Sequence, residues 1–247
     1  MKLLHYIKIP ITRFNNLIDT IGIDRRQFHD HFKIVEKSTP YPVVYGGGEE
    51  IRKKMLVQYN AYAIPKTDKG KDIFRNYRGK ILVPDRIRWN TAHVIALYSQ
   101  EPVLSNIFYA VKLGVPQEIE EYSNKALVLW FNTVWDLLIV LTSRQETEGA
   151  WSSLKIGQWR LLPALNVNEL DNDTLKRLAN IFDKYYNKPL KRIQYQFNPQ
   201  NPDPVRLGLD LEFLKALHSD LDEEFVKNEL FELYRRIHTA MKIWIGD

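Results

Sequence analysis

Apolar positions recur along this chain with two different periods, and the change from one to the other organises it. Short runs at Lys80–Val83, Val94–Tyr98 and Ile107–Val111 are rich in Val, Ile, Tyr and Phe and are separated by turn-formers at Glu101-Pro102 and Ser105-Asn106. They predict strands of an antiparallel sheet. Between Glu118 and Thr142 the period lengthens: Ile119, Tyr122, Ala126, Trp130, Val134, Leu138 and Leu141 recur every three or four residues, which predicts one long helix.

Beyond it, Thr147-Glu148-Gly149-Ala150 marks a break, Ser152–Ile156 a strand, and Gln158–Leu162 a helical turn stopped by Pro163. From Asp171 the pattern is helical. Asp171 is placed to cap a helix carrying Leu175, Leu178, Phe182 and Tyr185, and Asp203-Pro204 supplies a cap and first-turn proline before Leu207, Leu211 and Leu214. A last helix from Asp222 to Trp244 has acidic residues early and Arg235, Arg236 and Lys242 late, the order that the helix dipole favours. The expected class is α+β: a mixed α/β domain over residues 1–165 with short antiparallel strands and a long central helix, then a helical C-terminal region over 166–247 packed on it. The stretch Asn198–Pro204, with three prolines, is the best candidate for a linker.

Composition narrows the chemistry. A chain of 247 residues with 45% hydrophobic content can bury a core of its own. Cysteine is absent, which excludes disulfides, Cys-ligated zinc, iron–sulfur clusters and thiol catalysis, and makes a reducing cytoplasmic setting the expectation. The start of the chain is interrupted by charge and by Pro10, unlike a secretion signal, so no export is expected. The most apolar segment, Ala126–Thr142, carries Asn132 and Asp136 where a bilayer would penalise both, so it is read as a buried helix and no membrane partner is expected.

Net charge is only +5, but it is unevenly placed. Between Arg52 and Thr91 eleven basic residues face three acidic ones, a local +8 that leaves −3 for the rest. Within that segment Arg78-Gly79-Lys80-Ile81-Leu82-Val83-Pro84-Asp85-Arg86-Ile87-Arg88-Trp89-Asn90-Thr91 is a strand emptying into a loop dense in residues that suit nucleic acid. Arg reads guanine edges or phosphates, Asn reads adenine, Thr reads either, and Trp stacks or wedges in a distorted duplex. Alternation puts Arg86, Arg88 and Asn90 on one side. The competing reading is a solvated loop whose Trp89 packs into the core. A second cluster, Arg144, Thr147, Glu148, Gly149, Trp151, Ser152, Lys155, Trp159 and Arg160, repeats the mixture, again with core packing as the alternative for its tryptophans.

Catalytic signals are missing. No Asn/Asp-Pro-Pro-aromatic loop that would grip an extruded adenine occurs, and there is no Gly-x-Ser-x-Gly elbow. Tyr45-Gly46-Gly47-Gly48 is read as a tight turn into a Glu49–Val57 helix and not as a cofactor loop. His29-x-His31 lacks further ligands nearby, so no metal site is expected.

Several segments, taken in order, resemble the C-terminal target-recognition region of adenine-N6 DNA methyltransferases of restriction–modification type. They are Asp24-Arg25-Arg26-Gln27-Phe28-His29-Asp30, Tyr41-Pro42-Val43-Val44-Tyr45-Gly46, Ile81–Thr91, Glu101-Pro102-Val103-Leu104-Ser105-Asn106, Ala126–Thr133, Glu146–Trp151 and Trp159-Arg160-Leu161-Leu162-Pro163. The resemblance spans nearly the whole chain. It implies a sequence-specific recognition module that sets loops against double-stranded DNA while a separate methyltransferase subunit or domain, holding S-adenosylmethionine, transfers the methyl group. On that reading the chain alone is not an enzyme and binds no cofactor or metal. Its DNA contacts would come from Arg78, Lys80, Arg86, Arg88, Trp89, Asn90, Thr91, Arg144, Trp151 and Lys155. The alternative is a protein-interaction or scaffold subunit of such a complex.

Overall fold

In the computed structural model, which describes residues 8–143, 145–146 and 151–245, the first part of the chain is mainly strand. β1 (Ile11–Arg13), β2 (Ile18–Ile21), α1 (Arg25–His31), β3 (Phe32–Val35) and β4 (Pro42–Val44) come first. They are followed by β5 (Leu56–Val57), β6 (Ala61–Pro65), α2 (Asp68–Tyr77), β7 (Gly79–Pro84) and β8 (Arg86–Arg88). The centre comprises β9 (Leu97–Ser105), β10 (Phe108–Leu113), α3 (Gln117–Phe131) and α4 (Val134–Ser143). Then come β11 (Gln145–Glu146), β12 (Trp151–Ser153), α5 (Ile156–Leu161), β13 (Pro163–Leu165) and the C-terminal helices α6 (Asn172–Tyr185), α7 (Ile193–Gln196), α8 (Pro204–Leu217) and α9 (Glu223–Ile245). The class is α+β, as the two periods predict.

The main sheet has eight strands in the order β2-β10-β7-β9-β4-β6-β3, with β5 also beside β9. It is mixed, not purely antiparallel as expected, because β4 and β5 both lie parallel to β9. β5 pairs with its first half at Tyr98 and Ser99, and β4 with its last residues, Leu104 and Ser105. Between those two pairings sits Glu101-Pro102, read above as a turn and found inside one nine-residue strand. Proline has no N–H to give a ladder, and here it falls where β9 changes partner and its register against β7 shifts. The run Val94–Ala96 precedes the strand instead of belonging to it. The Asn132 side chain takes the place of a neighbouring strand there, accepting from Ile95 N at 2.8 Å and donating to Ala96 O at 2.8 Å.

The same asparagine breaks the predicted long helix. Asn132 Nδ2 also donates to Val128 O at 2.9 Å, and Thr133 Oγ1 donates to Trp130 O at 2.8 Å, so side chains take carbonyls that the next turn of helix would have used. α3 and α4 therefore meet at a 66° bend, and among the described residues no single helix is long and apolar enough to cross a membrane. The apolar spacing runs on through the bend because Ala126–Phe131 and Val134–Leu137 are buried on both sides of it. α3 packs on β7, β9 and β13, and α6 packs on α3.

The C-terminal helices begin at the predicted caps. Asp171 Oδ1 accepts from Thr174 N at 2.7 Å, and Asp203 Oδ1 accepts from Val205 N at 2.8 Å with Pro204 in the first turn. The Asn198–Pro204 stretch joins α7 to α8, with Asp203 N bonded to Gln196 O at 2.9 Å. Backbone bonds tie the helical region to the sheet side at Leu56 N to Tyr186 O, Leu190 N to Lys53 O and Ile193 N to Ala92 O. A buried polar knot joins α8, α9 and the α3–α4 bend: Asp210 accepts from Val134 N at 2.9 Å and from the Tyr234 hydroxyl at 2.5 Å, while Arg206 Nη1 stands 3.9 Å away.

Candidate nucleic-acid interface

The chemistry-bearing part of the molecule starts where β7 ends. Three contacts pin the backbone at that point. The Trp159 indole N–H donates to Pro84 O at 2.8 Å, Leu154 N donates to Asp85 O at 3.0 Å, and Arg52 Nη1 donates to Arg86 O at 3.3 Å. The chain then runs into β8, the edge of a small three-stranded sheet ordered β11-β12-β8, with Arg88 opposite Trp151, Ile87 opposite Ser152 and Arg86 opposite Ser153. Side chains directly opposite share a face, so the strand period puts Arg86, Arg88 and Trp151 together outside and Ile87 and Ser152 inside. Trp151 is 40% exposed, and the Arg88 guanidinium lies 5.6 Å from its ring centre.

Beside this ribbon opens a cleft of about 370 Å³. Arg86 and Lys155 line it with three cations from elsewhere in the chain: Arg25 and Arg26 at the start of α1, and Arg52 from the short 3-10 helix Glu49–Arg52. Trp151, Ile107 and Gly47 complete the walls, with Asp24 and Asp85. The Asp24 carboxylate is occupied as the α1 cap, accepting from Gln27 N at 2.9 Å, and this fixes where Arg25 and Arg26 emerge. Gly46 has φ 81°, the left-handed region that favours glycine, and its N–H bonds to Asn106 Oδ1 at 2.9 Å. The glycine stretch is irregular backbone that leads into a single 3-10 turn and then β5, not the tight turn into a helix to Val57 that was expected.

Burial disturbs two charged groups here. Arg52 lies over the Phe108 ring at 4.9 Å, where desolvation lowers its pKa and Asp85 opposes that shift. Burial raises the Asp85 pKa, although Lys155, Arg86, Arg52 and Arg25 all act to lower it.

The predicted residues divide. Arg86, Arg88, Trp151 and Lys155 come together at the cleft and its rim. Arg78 and Lys80 stand at the far end of β7, about 15 Å along the strand. Arg78 lies over Phe74, and Lys80 pairs with Glu121 at 2.8 Å. Trp89 is a correction: it does not stack or wedge from the surface but is fully buried, its indole N–H bonded to Ser152 Oγ at 2.7 Å. Asn90 and Thr91 form the turn after β8. Thr91 Oγ1 bonds back to Arg88 O at 3.4 Å, and Asn90 is half-buried with its Oδ1 unpaired among the described residues. Arg144, Thr147, Glu148 and Gly149 lie outside the described residues.

Sequence reasoning missed Arg25, Arg26 and Arg52 as site residues. Two adjacent arginines directly after a capping aspartate were the available signal, since a cap fixes their direction. Two further depressions, of about 370 and 700 Å³, meet at Tyr59 and are lined by no basic residue. Among the described residues no group of three His, Asp or Glu is placed to hold a metal ion.

No protein-family model and no curated sequence matches this chain. Among solved structures it is similar to that of the type IIG restriction endonuclease BpuSI, with a TM-score of 0.53 and 13% identity over 80% of this chain. The matched part is 26% of that enzyme's chain, so the likeness is one of fold to a portion of a much longer protein.

Proposed function

We propose that this chain is a double-stranded DNA recognition module of a restriction–modification or related defence system. It would serve an adenine-N6 methyltransferase whose catalytic subunit or domain holds S-adenosylmethionine. The observation that carries the reading is the convergence of five cations on one cleft from four separate stretches of sequence, with Arg88 and Trp151 at its rim. Guanidinium and ammonium groups on a backbone pinned by three hydrogen bonds suit phosphates and base edges, and an exposed tryptophan suits a base face. The fold shared with part of a type IIG restriction endonuclease supports the setting.

The test is binding to random-sequence duplex across a salt series. Each neutralised phosphate steepens the dependence of log K on log salt by about 0.9, so engagement of Arg25, Arg26, Arg86 and Lys155 in the cleft and Arg88 at its rim gives a slope of about −4.5. The Arg86→Ala/Arg88→Ala variant is expected to bind more weakly with a slope shallower by about 2. Absence of binding by either protein at low salt removes the DNA reading and leaves the protein-docking alternative, whereas a variant that binds as wild type does moves the contact away from these two arginines.

A further inference from the structure

We infer that Asp85 reads sequence, accepting a hydrogen bond from the exocyclic amino group of a base; this presupposes that the cleft binds duplex DNA. Asp85 lines the cleft among Arg25, Arg52, Arg86 and Lys155, yet among the described residues its carboxylate forms no hydrogen bond or ion pair with any of them. Of those cations Arg52 is engaged elsewhere, held over Phe108 and bonded to Arg86 O. The aspartate backbone is fixed too, by Leu154 N on its own carbonyl and by contacts to the residues on either side. A half-buried carboxylate is therefore presented with its acceptor sites unused.

In a phosphate-binding cleft such a group is costly, because it repels the backbone it faces. DNA offers it only one kind of partner, since the sugar–phosphate backbone of DNA has no hydrogen-bond donor. The donors are the exocyclic amines: cytosine N4 and adenine N6 in the major groove, and guanine N2 in the minor groove. A carboxylate among cations then lowers affinity for every sequence except those that place an amine against it, which is how a repulsive element creates discrimination.

Selection of bound duplexes from a randomised pool, run with wild type, Asp85→Ala and the isosteric Asp85→Asn, tests this. Wild type should enrich an amine-bearing base at one position. Asp85→Ala should lose that preference by on the order of 10-fold while binding other sequences as well or more tightly. Asp85→Asn, which keeps the shape should the alanine variant not fold, should alter the base chosen at that position alone. Enrichment of cytosine or adenine identifies the major groove, and guanine the minor groove. Variants with the wild-type preference, or a wild type that binds in a salt-dependent way without preference, overturn the role of Asp85 and leave the DNA reading standing. Loss of all salt-sensitive binding overturns both.

Discussion

Asp136 is fully buried near the start of α4, and neither carboxylate oxygen has a partner among the described residues. Desolvation pushes its pKa well above the usual carboxylate range. A group with a raised folded-state pKa favours the fold while it is protonated, so its cost appears as pH rises through the unfolded value and grows until the folded value is passed. Asp136→Asn removes that ionisation and should stabilise the protein at pH 8 by about 1 to 3 kcal/mol, with less gain at pH 5. Urea melts at the two pH values measure this, and an equal or negative effect at both would show that the carboxyl is satisfied. At the residue scale part of the candidate site was legible. Alternation through Arg86, Ile87, Arg88 and Trp89 placed the arginines together, and the same alternation turned Trp89 inward with Ile87. Expecting Trp89 to contact DNA came from residue type, and the period had already argued against it.

Elements were legible where local chemistry decides them. Caps at Asp171 and Asp203 and the proline stop after α5 are local signals, and the helices begin and end beside them. The α3–α4 bend, the inclusion of Pro102 in β9 and the parallel neighbours of β9 all depend on partners far along the chain, so periodicity could not show them. The 3-10 turn at Glu49 is of the same kind. Glu49 bonds to Arg192 Nε at 2.9 Å and to His93 Nε2 at 2.9 Å, joining an element of the cleft wall to the α7 cap residue. Hydrogen bonds first from Arg192 and then from His93 bring the Glu49 pKa down to about 2. A depressed carboxylate contributes stability above its unfolded value near 4.5, and that contribution is lost as pH falls toward 2. Glu49→Gln should therefore lower the melting temperature at pH 7 and flatten its fall between pH 4.5 and 2. A variant that retains the wild-type acid slope would place the sensitivity in another carboxylate.

Across the whole molecule the charge is polarised more sharply than its net value suggests, and the fold decides which part of the excess is usable. Four of the eleven basic residues from Arg52 to Thr91 are spent in ion pairs: Lys53 on Glu50, Lys71 on Asp68 and Arg75 on Asp72 locally, and Lys80 on Glu121 across the fold. What the fold gathers at the cleft is a different set, in which Arg25, Arg26 and Lys155 join Arg52 and Arg86 from outside or from the ends of that run. Counting charge along the sequence could not assemble the patch, because three of its five cations lie outside the basic run and its members are up to 130 residues apart. The arrangement makes a spatial prediction. If the cleft is the duplex-binding face, hydrogen–deuterium exchange with and without DNA should show protection at the amides of Arg25 and Arg26, Gly47 and Gly48, and β8 with β12. The helices α8 and α9 should exchange as in the free protein, since they contribute nothing to the cleft. The opposite pattern, protection confined to α8 and α9 with the cleft unchanged, would move the binding face to the helical end and make the five cations a solvated surface.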